Sequence, residues 1–418
     1  MKKLLTSAAV ILSLLILGGC GGKGDSASAP AGGLTVVPGD GYVTVSWDMS
    51  PGVSYWLYHA TTDGATFDPN SCASVPGCGS NSGVSSPYVI SSLLNGVTYS
   101  FLMTGRTNGG PGGAPTPLAT AVPRIAGSSW IPNISTDLNT LRAVVQNGTV
   151  FVAVGDNGAM FSNIVDSAGW TTWATWSRVA NPLPTTSLNA LTYGGIYLAA
   201  GAGGTILLSS DAATWTAQAS GTANDLYALA NNGSSLYVAV GAGGTILYSS
   251  GGSTWVTASS PTSNALYGVT FGGGEFVAIG AKGTVLTSID GINWTLQAVT
   301  SNPQLDLKGV AYNTTTSTVA AVGTAGTLVT SVDGGATWIA QAPIATGNTL
   351  NAVAFGKQLV AVGDSGAIFT SLDGLTWLPQ TATPAVSENL YSVRSFTNSY
   401  LGIGYAAVGA SGRNLSSN

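Results

Sequence analysis

Residues 320–338 read AAVGTAGTLVTSVDGGATW. Three signals follow one another there: a short apolar run, a G-x-x-G turn at Gly323 and Gly326, and a second run that ends in a Ser-x-Asp-Gly turn and Trp338. Short Val-, Thr- and Ala-rich runs bounded by glycine turns read as strands. The G-x-x-G pair occurs seven times, opening at Gly155, Gly201, Gly241, Gly280, Gly323, Gly363 and Gly409 and closing at Gly158, Gly204, Gly244, Gly283, Gly326, Gly366 and Gly412. The spacings are 46, 40, 39, 43, 40 and 46 residues. Four strand-like segments repeated at this period predict the blades of a β-propeller.

Working outward from the turn, each unit opens on a leucine: Leu141, Leu188, Leu226, Leu266, Leu307, Leu350 and Leu390. Each unit's last strand is marked by a tryptophan: Trp130, Trp176, Trp215, Trp255, Trp294, Trp338 and Trp377. Trp130 precedes every opening leucine, and the unit at 390–418 stops before a tryptophan of its own. The expectation is a seven-bladed propeller over 124–418, in which the strand at Trp130 completes the blade begun at the C-terminus, so that no edge is left unpaired.

The turns SSDAATW (209–215), SSGGSTW (249–255), SIDGINW (288–294), SVDGGATW (331–338) and SLDGLTW (371–377) resemble the Asp-box, or BNR, repeat. In that repeat the carboxylate accepts backbone N–H groups within the turn, which makes Asp211, Asp290, Asp333 and Asp373 marks of fold and not of catalysis. The wider pattern V-G-x-x-G, then S-x-D-G, then W is also similar to the propellers of photosystem II assembly and stability factors. That resemblance spans about 150–380, and it implies a non-enzymatic docking protein.

The N-terminal third reads differently. Lys2 and Lys3 precede an apolar run from Leu4 to Leu17, too short to span a membrane, which predicts a signal peptide over 1–19. Leu17-Gly18-Gly19-Cys20 resembles a bacterial lipobox, which implies acylation of Cys20 and anchoring in the cell envelope, at the outer membrane or cell surface. Residues 20–33, rich in Gly, Ala and Ser, are expected to be a flexible tether. From 34 to 123 short alternating strands predict a sandwich. Trp47 and the run Leu93-Leu94-Asn95-Gly96-Val97-Thr98-Tyr99 resemble a fibronectin type III domain. Cys72 and Cys78 are expected to form a disulfide, and His59, with no second ligand near it in sequence, predicts no metal site.

Charge narrows the functional classes. The chain has 12 basic and 17 acidic residues, and no basic stripe of the kind nucleic-acid binding needs. Arg124, Arg142, Arg178, Arg394 and Arg413 do not form a sialidase arginine triad, and the whole chain has only Glu275 and Glu388 as glutamates. A different glycosidase or lyase would need two carboxylates across a cleft. Asp156, Asp364, Asp225, Asp306 and Glu388 lie in loops expected at one face, although aspartate also suits a G-D-x-G turn.

The residue after each opening leucine varies: Arg142, Asn189, Tyr227, Tyr267, Lys308, Asn351 and Tyr391. A small residue always follows it: Ala143, Ala190, Ala228, Gly268, Gly309, Ala352 or Ser392. Small residues fit a crowded axis, and the varied ring is then expected at the channel mouth. With Asp156 and Asp364 it is the candidate binding site, able to grip a protein or a polysaccharide. The function expected is a monomeric, non-catalytic envelope lipoprotein with no cofactor. Its alternatives are a polysaccharide-active hydrolase or lyase and an assembly chaperone.

Overall fold

A computed structural model of the chain describes residues 26–27, 29–61, 67–75, 77–134, 137–164, 176–301, 304–398 and 402–417. The signal segment 1–19 and Cys20 lie outside the described residues. The described structure is all-β, with short 3-10 turns between strands. It divides into two compact units, one built from residues up to 36, 44–89 and 98–121, the other from 37–43, 90–97 and 122–418.

In the first unit Tyr99–Arg106 is the central strand, antiparallel to Ser54–Ala60, which in turn pairs with Gly79–Val84. Ala119–Ala121 and Ser26–Ala27 share the other edge of Tyr99–Arg106. Ser26–Ala27, within the stretch expected to be a flexible tether, pairs with Arg106 and Gly105 on that strand. Tyr55 and Leu57 alternate inward on Ser54–Ala60, and Trp47 packs edge-on to Tyr55 with centroids 5.9 Å apart. Cys72 and Cys78 form a disulfide. His59 lies 6.4 Å from the rings of Tyr99 and Phe101, and its burial lowers its pKa.

In the second unit the described residues form a series of seven sheets, six of them four-stranded and antiparallel and the fifth five-stranded. Their first strands are Leu141–Asn147, Leu188–Tyr193, Leu226–Asn231, Leu266–Gly272, Leu307–Asn313, Leu350–Phe355 and Leu390–Asn398. Each first strand packs against the first strands of the sheets before and after it, and Leu390–Asn398 meets Leu141–Asn147, so the series closes on itself. The fifth sheet carries an added strand, Val299–Thr300, parallel to Trp338–Ala340.

The second strands are apolar and buried along nearly their whole length, so each sheet is apolar on both faces and buries them against its two neighbours. The core is accordingly a series of seams. Trp215 lies with Ala143, Val152, Leu191 and Tyr197 between the first two sheets. Trp338 lies with Val277, Val310 and Val319 between the fourth and fifth. Trp176 closes the seam of the seventh and first with Phe151 and Phe396, whose rings meet edge to face.

The G-x-x-G turns exist because backbone leaves no room for a side chain. At Gly201, whose φ of −167° is ordinary extended backbone, a Cβ would sit 2.1 Å from the Ser187 carbonyl oxygen. At Gly204 the φ of +73° favours glycine, and a Cβ would meet the Thr222 carbonyl oxygen at 2.1 Å. These contacts lock each turn to the loop entering its own sheet and to the loop entering the next.

The seventh sheet is assembled from both ends of the unit. Ile131–Ile134 pairs antiparallel with Arg413–Ser417 as its outermost strand. The turn chemistry is divided in the same way. Within the sixth sheet, Gly374 N–H donates to Ser371 Oγ at 2.8 Å and Trp377 Nε1–H to the Gly374 carbonyl at 3.1 Å. In the seventh, Gly127 N–H donates to Ser417 Oγ at 2.8 Å and Trp130 Nε1–H to the Gly127 carbonyl at 2.7 Å. Residues 290 apart in sequence thus rebuild a turn that other sheets make locally.

Candidate binding site

All seven opening leucines are buried. In every first strand the pairing slips between the leucine and the residue two places on, so the residue between them is a β-bulge. A bulged residue leaves the ladder and its side chain is re-aimed. This explains why Arg142, Asn189, Tyr227, Tyr267, Lys308, Asn351 and Tyr391 vary freely: the bulge takes them out of the ladder and away from the seams. All seven line one cavity of about 110 Å³, together with the small residues that follow them. The crowding behind the ring is real, since a Cβ on Gly309 would fall 2.7 Å from Ala352 Cα.

The ring has a charge pattern of its own. Arg142 Nε donates to Asp156 Oδ1 at 2.5 Å, and its guanidinium carbon stands 5.6 Å from the Tyr391 ring centroid. Across the ring, Tyr227 and Tyr267 lie 5.6 Å apart, inclined by 39°. Lys308 Nζ sits 3.5 Å from the Tyr267 centroid and 3.1 Å from Asp306 Oδ2. Burial pushes the Asp306 carboxyl up, but the bonds from Lys308 and from the Lys282 N–H outweigh it and hold the pKa below the ordinary value. Both tyrosine hydroxyls are raised by burial, with further contributions from Asp225 at Tyr227 and from Asp306 at Tyr267. They are therefore neutral hydrogen-bonding groups at physiological pH.

The two amides are partly engaged. Asn351 Nδ2 donates to Asp364 Oδ1 at 2.9 Å and to the Leu390 carbonyl at 3.0 Å, while Asn189 Nδ2 donates to the Leu226 carbonyl at 3.0 Å. The carboxylates considered for acid–base work all have partners. Asp156 holds Arg142, Asp364 holds Asn351, Asp306 holds Lys308, Asp225 accepts from Gly203 N–H at 2.8 Å, and Glu388 is paired with Arg413, which lowers its pKa. Asp156 and Asp364 thus belong to the ring by steadying its side chains. Asp211 accepts N–H groups of Thr214 at 2.8 Å and Ala213 at 2.9 Å, which bring its carboxyl down to about 2.

One residue of this region goes unnoticed in the repeat. Four places past the opening leucine the first six sheets carry Val145, Thr192, Ala230, Thr270, Ala311 and Ala354, and the seventh carries Arg394. The odd residue out in an aligned column was the available signal. Arg394 lines both the ring cavity and a second cavity of about 270 Å³ farther along the first strands.

A closed series of sheets packed through their first strands, with a bulged ring at one end of those strands, defines a β-propeller, and the ring is its candidate site. No protein-family model matches the chain, and no curated protein does. Among solved structures it is similar to YCF48 bound to a D1 peptide, with a TM-score of 0.54 and 14% identity over 69% of this chain and 94% of that one. It is also similar to YCF48 from Cyanidioschyzon merolae, with a TM-score of 0.55 and 17% identity over 69% of this chain and 98% of that one. At these identities the likeness is one of fold.

Proposed function

We propose that the chain is a non-catalytic docking protein of the bacterial cell envelope, anchored through acylated Cys20, whose propeller mouth takes a segment of a partner protein. In this reading the seven sheets are the seven blades of an Asp-box propeller, and residues 34–123 are a fibronectin type III-like spacer. The strand order of that unit, with Tyr99–Arg106 between Ala119–Ala121 and Ser54–Ala60 and Gly79–Val84 beyond, supports the spacer reading. So does Trp47 packed on Tyr55.

The observation that carries the docking role is the bulged ring. It gathers three tyrosines, two cations and two amides at one mouth, and salt bridges already neutralise both cations. Such a surface offers aromatic area and hydrogen bonds at little desolvation cost, which suits a polypeptide segment. That a protein of this fold is found bound to a D1 peptide supports a peptide-like occupant over a sugar. The inclined Tyr227–Tyr267 pair favours a second reading, a polysaccharide ligand stacked on its rings.

One pair of measurements separates these readings from each other and from the enzyme. Crosslinking in native envelopes should recover a protein partner, and Tyr227→Ala/Tyr267→Ala should weaken that capture roughly tenfold or more, the loss of two aromatic contacts. Glycan-array binding lost in the same double variant would favour the sugar, and turnover of a bound glycan lost in Asp156→Asn or Asp364→Asn would favour a hydrolase or lyase. Unchanged capture in the double variant would remove the mouth from the argument.

A further inference from the structure

We infer that Arg394 forms an anion site inside the channel, beyond the mouth ring, and that its ligand group is a carboxylate. The inference does not rest on the docking role, because it concerns a different residue at a different depth.

The strand position of Arg394 sets the geometry. In the ladder it stands opposite Ala406, as Val145 stands opposite Val152 in the first sheet, so the two occupy the same register. At that register every other sheet carries a small or uncharged residue. A lone guanidinium in such a ring is not required by the repeat, and the fold would close without it.

Its surroundings hold no counter-charge. The Arg394 side chain is solvent-exposed within the channel and lines both cavities, and the protein walls around it pull its pKa below the ordinary arginine value. No aspartate or glutamate among the described residues lines either cavity. Among the described residues Arg394 makes no ion pair or hydrogen bond, whereas Arg142 and Lys308, the other cations lining these cavities, are both paired. An accessible guanidinium with no acid beside it keeps its donors free for an anion that enters the channel.

The larger cavity is lined with further donors. The hydroxyl-bearing residues Thr192, Thr270 and Tyr312 face it, and Asn231 Nδ2 already donates to Thr192 Oγ1 at 2.8 Å, which leaves the Thr192 hydroxyl hydrogen to point elsewhere. A volume of about 270 Å³ has room for a small acid or for the last residue of a chain. The guanidinium fork matches a carboxylate through two parallel N–H bonds. The carboxylate could belong to a free small acid or to the C-terminus of a polypeptide, and the test distinguishes the two.

Thermal melting of the full chain carrying Cys20→Ser, at constant ionic strength set with sodium chloride, would compare acetate with neutral acetamide. It would also compare tetra-alanine bearing a free C-terminus with its C-terminal amide. A ligand that binds only the folded state raises Tm in proportion to its occupancy. A rise with acetate and none with acetamide assigns a free acid. A rise with the free-acid peptide alone, absent for the amide, assigns a chain terminus. In either case Arg394→Met must abolish the rise, and Arg394→Lys, which keeps the charge without the fork, must weaken binding at least tenfold. Arg394→Met should itself melt no lower than the parent, since it removes an unpaired charge, and this verifies that the variant is folded. If neither carboxylate raises Tm, or if the rise survives in Arg394→Met, the anion site is wrong.

Discussion

At the scale of single residues, the aspartates of the Ser-x-Asp turns show how a carboxylate can be conspicuous in sequence and still be committed to structure. The Asp211 carboxylate accepts two backbone N–H groups and the Ser209 hydroxyl, all within three residues of itself. These bonds favour the charged form, so the folded-state pKa of about 2 lies below the ordinary unfolded value near 4. A depressed carboxylate contributes stability that is complete above the unfolded pKa and is lost as the pH falls through the folded one. The gap in Tm between the parent and Asp211→Asn should therefore be constant at neutral pH and shrink as the pH drops from about 4 to about 2. A gap that does not change across that window would mean that the carboxylate's charge is irrelevant and only its shape matters. The ring residues are the opposite case: the sequence marks them by their variability, but the reason, a bulge at the second position of every first strand, lies in the ladder and is invisible until the strands are paired.

At the scale of elements, the turn between second and third strands was the most legible feature, because a backbone clash forces glycine on every copy. The four positions are not equivalent, however. The third position has a positive φ in every unit, yet the residue there is Asn157, Lys282, Ala325, Ser365 or Ser411 in five of the units, so a side chain is tolerated. Gly201→Ala should cost about 2 kcal/mol or more through collision with the Ser187 carbonyl. Gly203→Ala, two residues away with open space around it, should cost only about 1 kcal/mol. Denaturant melts of the two variants give both numbers, and equal losses would contradict this account of the turn. Other elements were hidden for identifiable reasons. Val299–Thr300 adds to the fifth sheet by parallel pairing, which leaves no periodic trace. The seventh turn was unrecognisable because Ser417 and Trp130 come from opposite ends of the unit.

At the scale of the molecule, the repeat made the ring of sheets legible, and the mouth followed from asking which column of the repeat was free to vary. Arg394 was not legible by that route. It sits in a column that is otherwise small and uncharged, and its meaning depends on which acids fail to reach it, a fact of three dimensions. The joining of Ile131–Ile134 to Arg413–Ser417 has a further consequence, for the way the chain is made. A ribosome releases the early strand first and its partner hundreds of residues later, so this early strand spends most of synthesis as an open edge. Six sheets can form as they emerge, but the last seam, with Trp130 in it, must wait for the final few residues. A nascent chain stalled before Arg413 should then remain protease-sensitive at Ile131–Ile134, and release of the complete chain should switch that protection on in a single step. Under the export proposed for this chain, a ring that cannot shut early would help it cross a membrane unfolded.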